Sequence, residues 1–262
     1  DVTAQLRDLA DGVIAAGLRL GGKPVKTLDD AYANLRSAAT DAYPSEGAGN
    51  RHRLDAILDG GLTPTVKTDY ERWQPLHWAI ELPDVFARGG FDAIIGNPPF
   101  LGGQKITGAM GTEVRDWFVN VLAGGSRGSA DLVAYFLLRA TSLLQRKGTL
   151  GLIATNTVAQ GDTREVGLDA MVADGFTITR AIQSRSWPAV SANLEYAAVW
   201  GTHAHLADDV ARLADDIPVR RISTLLEPQG RAEGIPMRLA ENSGIAYIGC
   251  YVLGMGFVLD SE

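Results

Sequence analysis

The sequence has 262 residues, of which 46% are hydrophobic and 21% are charged. This balance is ordinary for a globular protein, so we expect one large domain, or one domain with an appendage, around a sizeable core. No apolar run is long enough to span a bilayer, and nothing in the sequence indicates an export signal. The formal net charge of -7 disfavours binding to nucleic acid unless a local basic patch or another domain faces the phosphates.

Cysteine and histidine residues give no metal-binding pattern. The single cysteine, Cys250, excludes an internal disulfide framework and a zinc site with several cysteines. His203 and His205 alternate on a strand-like stretch, and their spacing does not match a zinc site. We therefore predict that the chain holds no metal ion.

The first 75 residues are predicted to form a helical segment. Apolar residues at helical spacing predict a helix over residues 1–20, which Gly21 and Gly22 end. A second helix is predicted over residues 27–42, with Thr27 as its cap. Residues 44–61 are polar and rich in glycine, so they are predicted to form a loop or a short insertion.

Strands and helices alternate after residue 90. The predicted strands cover residues 91–96, 149–155, 176–182 and 194–201. The predicted helices cover residues 112–122, 129–147 and 162–174. This alternation predicts an α/β fold with a sheet of mainly parallel strands.

The tetrapeptide Asn97-Pro98-Pro99-Phe100 directly follows the first predicted strand. Two prolines cannot continue a central strand, and ligands bind beyond the carboxyl ends of strands in open parallel sheets. The Asn97 side-chain oxygen and the Pro98 carbonyl could accept both hydrogens of a purine amino group, while Phe100 offers a flat apolar face to the base. The structural alternative is an ordinary turn, because asparagine and proline are common turn residues.

Such a pair of acceptors suits a direct methyl transfer. Holding both hydrogens of the amino group would aim its lone pair at the methyl carbon of a sulfonium donor, so catalysis would depend mostly on positioning. A base that reacts in this way must first leave the duplex. Methylation of cytosine at carbon 5 would need a cysteine nucleophile, and Cys250 is not part of a Pro-Cys pair.

Several segments together resemble the N6-adenine DNA methyltransferases of the MmeI-like restriction-modification and phage-defence type. Residues 91–100 resemble motif IV of that family, and the other resemblances follow the family's order along the chain. They are residues 76–86 (the segment before motif IV), 129–136 (motif V), 151–156 (motif VI), Trp187-Pro188 (motif VIII) and 247–259 (the start of a target-recognition domain).

The resemblance implies a Rossmann-like class I methyltransferase sheet, S-adenosylmethionine as cofactor, and double-stranded DNA with a flipped adenine as partner. It implies that Asn97 and Pro98 hold the adenine amino group, with Pro99 fixing the backbone, and that Phe100 and Trp187 stack on the base. Asp131 either caps its helix or lies near the cofactor, and the cap is the simpler interpretation. A cytoplasmic location in a bacterium is also implied.

The sequence departs from the family pattern at motif I. No glycine-rich loop follows a predicted strand upstream of residue 91, so we expect the first strands and motif I to lie outside this sequence. On this interpretation residues 76–205 form the catalytic half of a methyltransferase domain, and residues 206–262 form a linker and the start of a target-recognition domain.

Two other functions are compatible with the sequence. Asn-Pro-Pro-aromatic sites also occur in enzymes that methylate glutamine side chains in proteins or guanine N2 in ribosomal RNA. A non-catalytic DNA-binding or scaffolding piece would explain the acidic charge and the absent cofactor loop, but it would not require Asn97-Pro98-Pro99-Phe100.

Overall fold

The computed structural model describes residues 2–126, 128–188, 195–207 and 209–228. The α-helices are α1 (Val2–Leu18), α2 (Lys26–Ala42), α3 (His52–Leu62), α4 (Trp78–Glu81), α5 (Pro83–Ala87), α6 (Gly103–Met110), α7 (Thr112–Trp117), α8 (Leu132–Leu143), α9 (Gly161–Arg164) and α10 (Ala170–Ala173). The strands are β1 (Phe91–Gly96), β2 (Leu144–Ala154), β3 (Thr177–Ser186), β4 (Glu195–Thr202), β5 (Arg212–Ala214) and β6 (Ile217–Val219). The predicted start of a target-recognition domain at 247–259 and Cys250 lie outside the described residues.

The first three helices form a bundle with its own hydrophobic core. Helices α1 and α2 confirm the two predicted helices, but the loop predicted over residues 44–61 is wrong because most of its second half is α3. Leu54, Leu58 and Leu62 recur every four residues and are almost fully buried. Burial of this apolar stripe stabilises the helix by more than the low helix propensity of the two glycines near its end destabilises it, so the segment is helical.

The bundle is joined to the rest of the chain by polar contacts at its surface. The His77 ring nitrogen Nε2 lies 2.8 Å from Asp11 Oδ1. The Arg7 guanidinium donates to both carboxylate oxygens of Glu81, at 2.7 and 2.8 Å. Both pairs connect α1 with the segment that enters β1, so the bundle packs beside the start of the sheet.

The strands form one six-stranded sheet in the order β1-β2-β4-β3-β5-β6. Strands β1, β2, β3 and β5 point in the same direction, and β4 and β6 run against them. The stretch between Ser186 and Glu195 is too short for a crossover helix, which explains why β4 returns antiparallel to β3. The mixed but mainly parallel sheet confirms the predicted α/β, Rossmann-like fold class.

The boundary between α8 and β2 differs from the sequence prediction. The helix predicted over residues 129–147 ends at Leu143, and Leu144 already pairs with Phe91 of β1. Leu144 is buried in the core that α8 forms with the sheet, so its apolar side chain fits either secondary structure. Pairing with β1 makes Leu144 part of a strand, and a local helical pattern in the sequence cannot predict such pairing.

Strand β1 lies at one edge of the sheet. Its only strand partner among the described residues is β2, and its Ile95 side chain remains 86% exposed. At the opposite edge, the sheet is extended by β5 and β6, two short strands that come after residue 205 in the chain. No helix in the described ranges has the length and apolar character that crossing a membrane would require.

The backbones of α1 and α3 come close together at Gly61. A Cβ atom at Gly61 would lie 2.2 Å from the backbone oxygen of Ala15, whereas the nearest atom to a Cβ at Gly60 is the end of the flexible Arg19 side chain, at 3.0 Å. Replacing Gly61 therefore requires the two helix backbones to move apart. Replacing Gly60 requires only that a surface side chain shift.

We predict that Gly61→Ala lowers the free energy of unfolding by about 1–3 kcal/mol, because the added methyl group overpacks the α1–α3 contact. Gly60→Ala is the matched control, and its gain in helix propensity of up to about 1 kcal/mol should leave stability unchanged or slightly higher. Urea unfolding of the two variants measures the difference. Equal stabilities would show that the helices do not approach this closely.

Asp8 accepts two hydrogen bonds within the bundle. Tyr43 Oη donates to Asp8 Oδ2 at 2.5 Å, and Arg51 Nη1 donates to the same oxygen at 2.6 Å. Partial burial alone would raise the pKa of Asp8, but the hydrogen bonds from Arg51 and Tyr43 and the positive charge of Arg51 together lower it. The ionised carboxylate therefore stabilises the folded bundle.

We predict that Asp8→Asn lowers stability at pH 7 by about 1 kcal/mol, since a partly exposed charge pair contributes no more than this. A lowered folded-state pKa gives stability that is complete above the ordinary carboxyl pKa of about 3.9 and is lost as the pH falls through the folded value. The difference in Tm between wild type and variant should thus shrink below about pH 4. A difference that stays constant down to pH 2.5 would contradict this role.

Candidate active site

Strand β1 delivers the Asn-Pro-Pro-Phe segment to the carboxyl edge of the sheet. Gly96 pairs with Leu152 of β2, so Asn97 leaves the sheet two residues before β2 itself ends at Ala154. Asn97 is exposed and Pro98 is buried. The Phe100 side chain is 45% exposed, which leaves an aromatic surface accessible beside the polar group. The structure therefore exposes Asn97, Pro99 and Phe100 at this edge, whereas Pro98 lies beneath them.

Two oxygen acceptors in this segment have no hydrogen-bond partner among the described residues. Among the described residues, no donor forms a hydrogen bond with the Asn97 side chain or with the Pro98 carbonyl oxygen. Polar groups in a folded protein are usually paired with protein atoms or with water. The two acceptors come from consecutive residues that directly follow β1, and the Asn97 side chain is exposed.

The ends of two further parallel strands meet the same edge. Strand β2 ends beside Thr155 and Asn156, and β3 ends at Ser186, directly before Trp187. The strand order places β3 three positions from β1, which at about 4.8 Å per strand is about 14 Å. The structure thus brings Trp187 to the predicted edge but not next to β1.

Trp187 packs against Tyr196 of β4. The two ring centroids are 5.4 Å apart, and the rings meet edge to face. This is a favourable geometry for an aromatic pair, and it fixes the Trp187 ring against the sheet. Stacking of Trp187 on a substrate base stays a prediction.

A polar cluster that the sequence analysis missed lies between these strand ends. Ser184 Oγ donates to Glu195 Oε2 at 2.6 Å, and Asn156 Nδ2 donates to the same oxygen at 3.4 Å. The three residues come from the region after β2, from β3 and from β4. Only the position of Asn156, directly after a predicted strand, could have indicated this from the sequence.

Asp131 joins two segments at the edge of the sheet. It occupies the N-cap position of α8, as predicted, but the predicted cap is wrong because its side chain makes no hydrogen bond with that helix. Its Oδ1 instead accepts from the Gly103 backbone N–H at 2.9 Å, and its Oδ2 accepts from the Thr157 hydroxyl at 2.7 Å. Contact with a cofactor stays a prediction for this residue.

The start of α6 is packed tightly against the residues before α8. A Cβ atom at Gly103 would lie 2.1 Å from the Ser129 backbone oxygen, so only glycine fits there. The Leu132 backbone N–H donates to the Leu101 carbonyl at 2.9 Å. These contacts place the residues after Phe100 against the N-terminal end of α8.

Two known proteins are similar to parts of this chain. A protein of Methanocaldococcus jannaschii named as a type II restriction enzyme and methyltransferase is 25% identical over 136 residues, which are 51% of this chain and 11% of that protein. The solved structure of the type IIL restriction-modification enzyme MmeI in complex with DNA matches 79% of this chain and 28% of its own at 15% identity, with a TM-score of 0.47. The chain thus spans only a small part of either protein.

The family comparison covers more than half of the chain. The profile of the Eco57I restriction-modification methylase family matches residues 31–183, which include the bundle helix α3, the strands β1 and β2, and most of β3. The matched range also contains Asn97, Phe100 and Asp131. The chain belongs to the Eco57I restriction-modification methylase family.

Proposed function

We propose that the protein containing this chain is a DNA methyltransferase that transfers a methyl group from S-adenosylmethionine to N6 of an adenine extruded from the duplex. The observation that carries the proposal is a pair of oxygen acceptors at the end of β1, the Asn97 side chain and the Pro98 carbonyl, which form no hydrogen bond with the described part of the chain. Membership of a methylase family supports the reaction class. The acceptor pair suits an exocyclic amino group, and the choice of adenine N6 rests on the resemblance of the motifs to the N6-adenine DNA methyltransferases.

The acceptors address a specific chemical difficulty. The lone pair of an adenine amino group is delocalised into the ring, which makes the nitrogen a poor nucleophile. When Asn97 Oδ1 and the Pro98 oxygen each accept one of its hydrogens, the nitrogen becomes more pyramidal and its lone pair points in one direction. The two prolines restrict the backbone, so little entropy is lost when the base binds.

Phe100 supplies the apolar surface for the base. Its ring is 45% exposed and lies three residues beyond Asn97, so a base whose amino group reaches Asn97 can stack on it. Stacking of this kind stabilises an extruded base without reading its sequence. We assign Trp187, on the same sheet edge, to the far side of the pocket.

The cofactor would supply an electrophilic methyl group bonded to a positively charged sulfur. The described residues alone do not fit this cofactor, which needs a glycine-rich loop after a parallel strand. The residues that directly follow β1, β2 and β3 are Asn97, Thr155 and Trp187, and none of them begins such a loop. The free edge of β1 can pair with another parallel strand. We propose that a further part of the protein pairs there and provides the cofactor loop.

DNA contacts must also come largely from outside the described residues. The net charge of -7 repels a polyanion, and phosphate contacts by lysine and arginine supply most of the affinity of DNA-binding proteins. We therefore propose that this chain carries the reaction pocket and that other parts of the protein hold the duplex.

We predict that Asn97→Ala in the full-length protein lowers the rate of methyl transfer to duplex DNA about 100-fold or more, the usual effect of losing one positioned polar group in an active site. The variant should unfold at the wild-type temperature, because the Asn97 side chain is exposed and makes no hydrogen bond with described residues. Transfer of a radiolabelled methyl group measures the rate. Asn34→Ala, which removes an exposed asparagine on α2 that accepts from Arg53 at 2.9 Å, is the control for the rate and should keep the wild-type activity.

The product identifies the reaction. Digestion of the methylated DNA followed by mass spectrometry should give N6-methyladenine. A methyl group on cytosine, on RNA or on protein would contradict the assignment. An Asn97→Ala variant with wild-type activity would remove its basis.

We predict that Phe100→Tyr keeps most of the activity, whereas Phe100→Ala lowers kcat/KM about 10-fold to 100-fold, because stacking contributes about 1–3 kcal/mol per base. The aromatic ring, rather than any polar group, is what the pocket requires at this position. Steady-state kinetics on duplex DNA separate the two variants. If alanine performed as well as tyrosine, Phe100 would have no part in holding the base.

A further inference from the structure

We propose that Asp131 is a positioning residue that fixes the Asn-Pro-Pro-Phe segment by tying the turn after Phe100 to the end of β2. This inference rests on the proposed function, because it assigns Asp131 a role in the same reaction pocket. It does not place Asp131 in contact with the substrate.

The two oxygens bind two different segments of the chain. Asp131 Oδ1 accepts from the Gly103 backbone N–H at 2.9 Å, and Gly103 is the third residue after Phe100. Asp131 Oδ2 accepts from the Thr157 hydroxyl at 2.7 Å, and Thr157 is the third residue after the end of β2. Hydrogen bonds to a carboxylate are stronger than those between neutral groups, so each contact restrains its segment well.

The reaction segment needs such an anchor. Residues 97–102 form neither helix nor strand, so β1 holds only their first end. At the second end, the backbone bonds to described residues are the Leu132 N–H to Leu101 carbonyl bond, at 2.9 Å, and a local turn bond from Lys105 to Gly102. The Asp131–Gly103 contact is therefore the one side-chain bond, in the described part of the chain, that holds this end to another element.

Asp131 is itself held on its other sides. Its backbone N–H donates to Thr163 Oγ1 at 3.0 Å, and Thr163 is buried. The Thr157 hydroxyl oxygen also lies 2.6 Å from Thr155 Oγ1, directly beside the end of β2. The connection from Phe100 to the end of β2 thus runs through Gly103, Asp131 and Thr157.

This arrangement predicts a defect in rate rather than in binding. Loss of the carboxylate would let the turn after Phe100 move while leaving both acceptors in the chain. A displacement of about 1 Å in a positioning element can cost about 100-fold in rate. A residue that contacted the cofactor directly would instead weaken cofactor binding when it is removed.

The experiment uses the full-length protein with S-adenosylmethionine and duplex DNA. We expect Asp131→Ala to lower kcat about 10-fold to 100-fold, while the KM for DNA and the Kd of the cofactor stay within about twofold. Asp131→Asn should recover much of the rate, because its carboxamide can accept from Gly103 and donate to the Thr157 hydroxyl. Asp41→Ala, an exposed carboxylate on α2, should match the wild type.

A second variant tests the other half of the connection. Thr157→Val keeps the shape of the side chain and removes the hydroxyl, so it should lower kcat in the same direction, and Thr157→Ser should restore it. The double variant Asp131→Ala, Thr157→Val should be little slower than Asp131→Ala alone, because both changes break one connection. If Asp131→Ala does not fold, the Thr157 pair decides the question alone.

Hydrogen exchange gives a readout that does not require activity. The Gly103 amide should exchange faster in Asp131→Ala and Thr157→Val than in the wild type, and at the wild-type rate in Asp41→Ala. Unchanged kcat and exchange in these variants would overturn the inference, as would a weaker cofactor Kd at unchanged kcat. The proposed function itself fails if Asn97→Ala stays active in the same assay, or if the methyl group is found on cytosine, RNA or protein.

Discussion

Parallel pairing between β1 and β2 is the constraint on which the candidate site depends. Ile94 pairs with Leu150 and packs into the core, whereas Ile95 points to the other face and stays 86% exposed. Because side chains alternate along a strand, a shift of one residue would exchange these two positions and expose the buried one. Partial burial of Ile94 against the core thus favours this register, and in this register Asn97 is the residue that leaves the sheet at its carboxyl edge.

The carboxyl edge of the sheet brings together residues that lie far apart in the chain. Acceptors come from the end of β1, a polar cluster from the ends of β2 and β3, and an aromatic pair from Trp187 and Tyr196. In the proposed reaction, this chain supplies the side of the pocket that faces the base, and the cofactor loop comes from outside the described residues. The proposed site is therefore divided between two parts of one sheet, with β1 at the junction.

Sequence patterns were sufficient where a property is local. The short apolar run ending in Gly96 and followed by two prolines predicted both the strand and the exposed Asn97. Sequence patterns failed where contacts between distant segments determine the structure. Leu144 was predicted to be helical, but it pairs with Phe91 in the sheet. The contact of Asp131 with Gly103 joins residues 28 positions apart. No local spacing encodes such a contact, because it exists only after the sheet has formed.

The most direct test of the account is a crystal structure of the full-length protein bound to duplex DNA that contains its target adenine. We expect the adenine to be extruded, with its N6 atom within about 2.7–3.2 Å of both Asn97 Oδ1 and the Pro98 carbonyl oxygen. An extruded base held elsewhere, with the Asn97 side chain still facing solvent, would contradict the central claim.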